Sequence, residues 1–253
     1  MAETGTPSSI HPATHAHRRA SLMVYAAAQF VVLTVIGMLI YPGGSRYDHT
    51  ATHYVFLANF FSDLGATRTQ SGATNTAAAT LFIAALGSVG AALIHFAPAW
   101  TFLTGGARSH RISGVVSQVA ATLAGLCFIG IAVTPHNLDP RLHLQFVKSA
   151  FVLLLGFVVP FTYLLDAFRW SRSSVWAGVA YMVALVAYVI NLFVGPSLRT
   201  PWGFQFQVVT QKAIVYYSVV TVAVLALEVR RQAAAHFTAQ RVALQHRTSD
   251  VAA

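Results

Sequence analysis

Two lysines lie inside stretches of the chain that are otherwise apolar. Lys148 and Lys212 are each surrounded by Val, Phe, Tyr and other largely apolar residues. An ionisable side chain at the centre of a bilayer costs about 3 kcal/mol or more, so each lysine should have a partner or a function. Polar residues accompany them in the sequence: Gln145 near Lys148, Gln211 beside Lys212, and Asn191 late in another apolar stretch.

The long connection after the first apolar stretch supplies further polar residues. With them, the sequence predicts a polar pocket on the outer side of a membrane that binds a lipid or another amphiphilic or anionic ligand. An alternative stays open, in which Asp63 pairs with Lys148 or Lys212 and the long lysine stems reach the membrane surface. The predicted ligand-binding residues are Asn59, Asp63, Arg68, Gln145, Lys148, Asn191, Gln211 and Lys212.

Histidines form a second group of candidate residues. His49 and His53 have the i, i+4 spacing that places two metal ligands on one face of a helix. His136 and His143 follow in a later connection on the same predicted side of the membrane. Zinc held by these four residues would make the protein an interfacial hydrolase, with a nearby aspartate as base. The segments lack the His-Glu-x-x-His pattern, and the alternative is that these histidines lie in a hydrated interface without any cofactor.

The composition indicates which kind of element carries these residues. The chain has 253 residues, of which 56% are hydrophobic and only 9% charged. About a quarter of the residues in a soluble domain are charged, so an ordinary soluble enzyme is excluded. The high hydrophobicity excludes a disordered chain, and the single cysteine, Cys127, excludes a disulfide scaffold. A membrane protein that crosses the bilayer several times remains.

Six apolar runs have the length of about 20 residues that a helix needs to cross a bilayer. Continuous runs favour helices, because strands of a membrane barrel would show short alternating segments. The sequence therefore predicts an all-α bundle of six transmembrane helices. The predicted spans are Ala20 to Tyr41, Ala73 to Phe96, Ser113 to Val133, Leu142 to Leu165, Val175 to Val194 and Val208 to Val229.

The distribution of Lys and Arg predicts the orientation of the bundle. Ten of the 16 lie on the side that holds both termini, four lie on the other side and two lie within spans. Cytoplasmic loops retain positive charge, so both termini are predicted to be cytoplasmic and the protein to lie in the cytoplasmic membrane. Residues 1–19 then form an N-terminal tail, residues 20–229 the transmembrane domain, and residues 230–253 a basic C-terminal tail.

The formal net charge of +9 does not indicate a nucleic-acid partner. The cations are spread over loops and tails that the bilayer separates, so they form no common binding face. Membrane lipids are the expected partners, with the basic C-terminal tail near anionic head groups. The oligomeric state does not follow from the sequence.

The first outer connection, Pro42 to Gly72, is the longest and the favoured place for function. At 100° per residue, Phe56, Phe60 and Leu64 share one helix face with two more apolar residues, opposite Asn59 and Asp63. The pattern predicts an amphipathic helix of about three turns. It is too short to span, so it would lie at the outer interface or enter the bundle as a re-entrant segment.

The same loop carries a resemblance to a known family. The run Asn59-Phe60-Phe61-Ser62-Asp63-Leu64-Gly65 is followed by Thr67-Arg68-Thr69, Gly72, Asn75 and Leu81-Phe82. A turn around Pro135 follows span three, with a histidine soon after it. This pattern resembles the first-loop signature of the domain-of-unknown-function 998 family of bacterial multi-pass membrane proteins. The resemblance implies a six-span protein of the cytoplasmic membrane, and it implies no activity and no catalytic residue.

Four functional hypotheses follow from these patterns, and the last of them is a purely structural partner subunit. Binding of a lipid or other amphiphile in an outward-facing polar pocket is favoured, because no nucleophile with a neighbouring base can be identified. A metal-dependent hydrolase at the membrane interface is one alternative. A small transporter is another, and it requires polar residues that continue to the cytoplasmic end of the bundle.

Overall fold

The computed structural model describes residues 11–101 and 107–252. Within those ranges the chain forms six α-helices and one short 3₁₀ helix, with a single β-bridge between Arg68 and Thr74. The helices are α1 (His11–Leu39), α2 (Thr76–Phe96), α3 (Arg108–Val133), α4 (Pro140–Ala167), α5 (Arg172–Val194) and α6 (Pro201–Ala252). All six are long and apolar enough to cross a membrane, which confirms the predicted all-α, six-span architecture.

The helices extend beyond the apolar runs from which they were predicted. Residues 11–19 of the predicted N-terminal tail are part of α1, and residues 1–10 lie outside the described ranges. The predicted C-terminal tail continues α6 to Ala252. At the start of α4, Asp139 accepts a hydrogen bond from the backbone N–H of Leu142 at 2.9 Å and Pro140 occupies the first helical position. Both residues favour a helix start, so α4 begins before its apolar run.

Consecutive helices pack side by side, and α6 returns to α1, so the six helices form a closed ring. Small residues set the spacing at one contact in this ring. A Cβ atom on Gly90 of α2 would lie 2.6 Å from the carbonyl oxygen of Gly125 on α3, and the reverse substitution would meet the same distance. The two helix backbones therefore touch at this point, as small residues allow in membrane bundles.

Aromatic side chains fill the ring near the C-terminal end of α2. Trp100 is almost completely buried, with its ring centroid 5.3 Å from that of Phe96 and 5.5 and 4.7 Å from those of Phe157 and Phe161 on α4. These separations lie in the favourable range for aromatic pairs. The cluster closes the end of the bundle opposite the connection between α1 and α2.

The connection between α1 and α2 differs from the predicted amphipathic helix. Only Phe61–Gly65 is helical, as a 3₁₀ helix of five residues, while Phe56 and Leu57 lie in an exposed turn. Side chains of the loop accept hydrogen bonds from its backbone N–H groups. Asn59 Oδ1 accepts one from the backbone N–H of Val55 at 2.9 Å. Asp63 Oδ2 accepts from Phe60 at the same distance. Such bonds compete with helical bonds, which accounts for the shorter helix.

The 3₁₀ helix is inserted into the ring rather than lying on its surface. Phe61 stacks on Phe30 of α1 at 5.6 Å and contacts Phe82 of α2 and Tyr216 of α6 at 6.2 and 5.5 Å between ring centroids. Asn75, just before α2, ties the far end of the 3₁₀ helix by donating to the carbonyls of Leu64 and Ala66 at 2.9 and 2.8 Å. We call this end of the bundle, which carries residues 40–75, the loop end.

Candidate functional site

A cavity of about 370 Å³ opens at the loop end between α4, α5 and α6. We call it the vestibule. Its walls combine apolar side chains such as Leu144, Val147 and Phe193 with a group of polar ones, as ligand sites usually do. The polar members are Ser62, Asp63, His136, His143, Tyr188, Asn191, Gln207 and Gln211.

Asp63 and His136 are in contact in the vestibule wall. Asp63 Oδ1 lies 3.0 Å from His136 Nε2, although the angles are not those of a hydrogen bond. The other oxygen, Oδ2, accepts from the backbone N–H of Phe60 and from Asn59 Nδ2 at 2.9 and 3.1 Å. The alternative in which Asp63 pairs with Lys148 or Lys212 is therefore wrong, since the side chain in contact with Asp63 is His136, from the turn between α3 and α4.

His143, on the first turn of α4, is held in a defined orientation. Its Nδ1 atom lies 2.7 Å from the carbonyl oxygen of Thr134. A carbonyl oxygen only accepts hydrogen bonds, so Nδ1 carries the hydrogen. In the neutral ring this leaves Nε2 with a lone pair. Nε2 is buried and has no hydrogen-bond partner among the described residues, and His143 is only 6% exposed.

Gln211 of α6 links the vestibule wall to the loop. Its Oε1 atom accepts a hydrogen bond from the backbone N–H of Phe61 at 2.8 Å, which fixes the start of the 3₁₀ helix. The accepting atom must be the oxygen, so the side-chain NH₂ group points away from Phe61. In the described part of the chain this NH₂ group has no hydrogen-bond partner.

A second cavity lies behind the vestibule, inside the ring. We call it the inner chamber. Its walls come from α1, α2, α3, α4, α6 and the 3₁₀ helix and are almost entirely apolar, for example Phe30, Val89 and Val222. Its volume is about 70 Å³, or roughly the space of two water molecules in the liquid. The chamber shares four lining residues with the vestibule, namely Ser62, His143, Val147 and Gln211.

Asn191 and Gln207 form a polar clamp between α5 and α6. Gln207 Nε2 donates to the backbone carbonyls of Asn191 and Pro196, both at 3.4 Å, so Gln207 Oε1 faces Asn191. Asn191 Nδ2 then donates to Gln207 Oε1 at 2.9 Å and to Thr210 Oγ1 at 3.1 Å. This arrangement leaves Asn191 Oδ1, which is buried, without a partner among the described residues.

Both predicted lysines lie outside the vestibule lining. Lys212 is 2% exposed; its ammonium group donates to the carbonyl oxygen of Asn59 and lies 5.4 and 5.1 Å from the ring centroids of Tyr54 and Phe56. It therefore anchors the loop through a hydrogen bond and cation–π contacts. Lys148 lies 4.6 Å above the ring of Phe193, which itself lines the vestibule.

The remaining predicted ligand-binding residues divide between the loop and the surface. Asn59 is fully buried, and both hydrogens of its amide are used, by Gly44 and Asp63. Arg68 is exposed, donates to the carbonyl of Gly72, and lines a separate cavity of about 180 Å³ behind Asp63. Gln145 is exposed on α4 and lines neither the vestibule nor the inner chamber.

The predicted metal ligands do not come together as a set of four. His49 and His53 lie in turns, so the helical spacing that suggested a shared face is wrong for this segment. His49 Nδ1 instead contacts the carbonyl oxygen of Gln70 at 2.5 Å. His136 and His143 are neighbours, with ring centroids 5.9 Å apart. Across the described ranges, no group of three or more His, Cys, Asp or Glu residues has the spacing to hold a metal ion.

Two tyrosines in the loop are kept protonated by their surroundings. Burial, reinforced by the negative charge of Asp63, raises the pKa of Tyr54 and of Tyr41 far above the usual value. Tyr54 is therefore a permanent donor, and its hydroxyl donates to the carbonyl of Phe60 at 2.9 Å. This bond strengthens the connection between α1 and α2.

The vestibule thus gathers three of the predicted ligand-binding residues, Asp63, Asn191 and Gln211, and adds residues that were not predicted for this role. Ser62 lies next to Asp63 in the sequence, and Gln207 lies one helical turn before Gln211, a spacing that places both glutamines on one face of α6. Comparisons with protein-family profiles, curated proteins and solved structures find no match for this chain.

Proposed function

We propose that this multi-pass membrane protein binds one amphiphilic molecule, with its polar head in the vestibule and the end of its apolar chain in the inner chamber. One observation carries the proposal: a polar cavity and an apolar cavity adjoin and share Ser62, His143, Val147 and Gln211 as walls. A molecule with a polar and an apolar end matches this division. Each methylene group transferred from water to the chamber contributes about 0.8 kcal/mol.

The size of the inner chamber limits the ligand to one slender chain. A volume of about 70 Å³ holds only the end of such a chain. The rest of the chain would lie along the apolar part of the vestibule wall, near Leu144 and Leu192. The second chain of an ordinary two-chain phospholipid has no equivalent place in either cavity.

The opposite end of the bundle supports binding rather than passage through the protein. The aromatic cluster around Trp100 and Phe157 fills that end, and polar groups concentrate at the loop end. A transporter in this conformation would need a polar route past the cluster. We further propose that the loop end faces the exterior, that both termini face the cytoplasm, and that the chain is a bacterial protein of the family that its first loop resembles.

The proposal is tested by filling the inner chamber. Val222 of α6 lines the chamber and is 5% exposed, whereas Val220 on the same helix is 56% exposed on the outer surface. The protein is purified in mild detergent, and bound amphiphiles are identified by mass spectrometry. We expect a stoichiometric single-chain amphiphile in the wild type and in Val220→Phe, and its loss in Val222→Phe.

Two further measurements make the outcome decisive. Val215→Phe, which also fills the chamber, repeats the test if Val222→Phe does not yield folded protein. A wild-type protein without stoichiometric amphiphile, or equal retention in all variants, would refute the proposal. Stoichiometric zinc in the purified wild type that is lost in His136→Ala would instead favour the hydrolase.

A further inference from the structure

The vestibule contains no Lys or Arg among the residues that line it in the described structure. Its one carboxyl side chain among these residues is Asp63, which is 5% exposed and in contact with His136. An anionic head group would approach this side chain with no lysine or arginine in the described wall to offset the repulsion. The sequence-based expectation of an anionic ligand depended on six basic residues at the loop end, namely Arg46, Arg68, Arg141, Arg199, Lys148 and Lys212, and none of them lines the vestibule.

Three buried polar atoms of the vestibule residues lack a hydrogen-bond partner among the described residues, namely His136 Nε2, His143 Nε2 and Asn191 Oδ1, and the last two are acceptors. His143 Nε2 has a lone pair and no partner, because Nδ1 is committed to Thr134. Asn191 Oδ1 has no partner, because the orientation of its amide is fixed by Gln207. A buried acceptor left without a donor destabilises the protein, so a ligand that donates hydrogen bonds to these atoms recovers that cost.

One donor complements the acceptors. The side-chain NH₂ group of Gln211 is directed away from the loop because the oxygen of the same amide is bound to the N–H of Phe61. Gln211 lies at the boundary of the vestibule and the inner chamber, as does His143. A hydroxyl group both donates and accepts, so a head with hydroxyl groups satisfies His143 and Gln211 together.

We infer that the ligand's head group is uncharged and carries hydroxyl groups, as in a monoacylglycerol or another single-chain polyol lipid. This inference rests on the proposed function and narrows it to one class of amphiphile. His143 accepts a hydrogen bond from a head-group hydroxyl, and Gln211 donates one to a head-group oxygen. Lys148 and Lys212 have structural roles, in the packing of the helix ends and the anchoring of the loop, and they do not bind the head group.

The test compares four probes that share a twelve-carbon chain and differ in the head. Monolauroylglycerol presents hydroxyls, methyl laurate presents no donor, dodecyl phosphate is an anion and dodecylamine is a cation. Binding is measured on the full-length protein in nanodiscs by displacement of radiolabelled monolauroylglycerol. We expect monolauroylglycerol to bind at least tenfold tighter than methyl laurate and dodecyl phosphate.

Substitutions identify the side chains that produce the preference for monolauroylglycerol. His143→Phe should reduce the tenfold preference for monolauroylglycerol over methyl laurate to about twofold, with methyl laurate binding unchanged. Lys148→Met is the matched control on the same helix and should change neither probe. If His143→Phe does not fold, the ¹⁵N resonance of His143 Nε2 in the wild type reports the hydrogen bond directly, through a shift that monolauroylglycerol causes and methyl laurate does not.

The outcomes separate this inference from the proposed function. The inference of an uncharged, hydroxylated head group is overturned if dodecyl phosphate or dodecylamine binds more tightly than monolauroylglycerol, or if methyl laurate binds as tightly. The proposed function survives either result as long as Val222→Phe abolishes the binding of every probe. If Val222→Phe leaves all four probes bound as in the wild type, the proposed function itself fails. A preference that Lys148→Met removes would assign recognition to the lysine and refute the role of His143.

Discussion

The contact between α2 and α3 yields a prediction about stability. Replacing a glycine of α2 by alanine should lower the stability of the protein at one position and raise it slightly at another. A Cβ atom on Gly90 would lie 2.6 Å from the carbonyl oxygen of Gly125 and 2.9 Å from Ile129 Cγ1. A Cβ atom on Gly87, one turn earlier, would meet nothing within 4 Å. Gly90→Ala and Gly87→Ala therefore form a matched pair with the same chemistry.

The size of the stability difference between the two variants follows from the distances around the added Cβ atoms. Ordinary contact begins near 3.4 Å, so Gly90→Ala must move the α2 and α3 backbones apart by about 0.8 Å, and backbone atoms have no rotamer with which to yield. Overpacking of this kind costs about 1–3 kcal/mol. Alanine is the better helix former by about 1 kcal/mol at both positions, so this gain cancels in the comparison. The free energy of unfolding of Gly90→Ala should be lower than that of Gly87→Ala by about 1–3 kcal/mol.

The assay is reversible unfolding in mixed micelles, with helix content followed by circular dichroism. Gly87→Ala should be slightly more stable than the wild type. Because Val89 of α2 and Ile131 of α3 line the inner chamber, Gly90→Ala should also widen the chamber and alter amphiphile binding. Equal stabilities of the two variants would show that the helices do not touch at Gly90, and the closed ring would then be incorrect.

Three further predictions concern the loop. Asn75→Ala removes the donor to two backbone carbonyls and should destabilise the protein by about 2 kcal/mol in the same assay, while the exposed neighbour Thr76→Ala should have little effect. Phe61→Ala should cost about 3–5 kcal/mol and speed the entry of apolar probes into the inner chamber, measured by stopped-flow fluorescence; unchanged entry would show that the Phe61 ring does not restrict access to the chamber. Hydrogen bonds from Thr50 lower the pKa of Asp48 in the folded protein. Their contribution to the free energy of unfolding is therefore fully present above the unfolded pKa of about 3.9, and it is lost as the pH falls through the lowered pKa of the folded state. Thr50→Val should raise the pKa of Asp48 in a titration of its carboxyl ¹³C resonance, and an unchanged value would exclude the hydrogen bond.

The six spans were predictable because the thickness of a bilayer imposes a minimum length on each apolar run. Every predicted run coincides with a helix that has the length and composition of a span. The helix ends were less predictable, because polar flanking residues continue a helix as readily as they end it. Residues 11–19 and the segment after Val229 illustrate this, since both extend helices that the apolar pattern alone would have ended.

The membership of the site was predictable only in part. Asn191 and Gln211 were expected at the loop end by their depth in the spans, and both line the vestibule. Gln145 was expected there for the same reason but is exposed. Periodicity gives the angle between two residues on one helix, but it does not show which side of the helix faces a neighbouring helix. The rotation of each helix about its own axis could therefore not be predicted.

The partner of Asp63 was missed for a different reason. Lys148 and Lys212 are basic residues within the predicted spans, which made them the obvious partners on electrostatic grounds alone. The contact to His136 joins two connections that are distant in the sequence, and no local pattern encodes such a pairing. The loop helix was overestimated because the apolar spacing was considered without the capacity of Asn59 and Asp63 to bind backbone N–H groups.

The bonds between the first loop and α6 also determine when the loop can reach its final position during biosynthesis. The Phe61 N–H reaches Gln211 across 150 residues of sequence, and Lys212 reaches the Asn59 carbonyl across 153. At a translation rate of about 5–20 residues per second, the ribosome needs about 8–30 s to synthesise the missing partner. The loop therefore cannot reach its final position until α6 has been synthesised, and a chain truncated before α6 would lack both bonds.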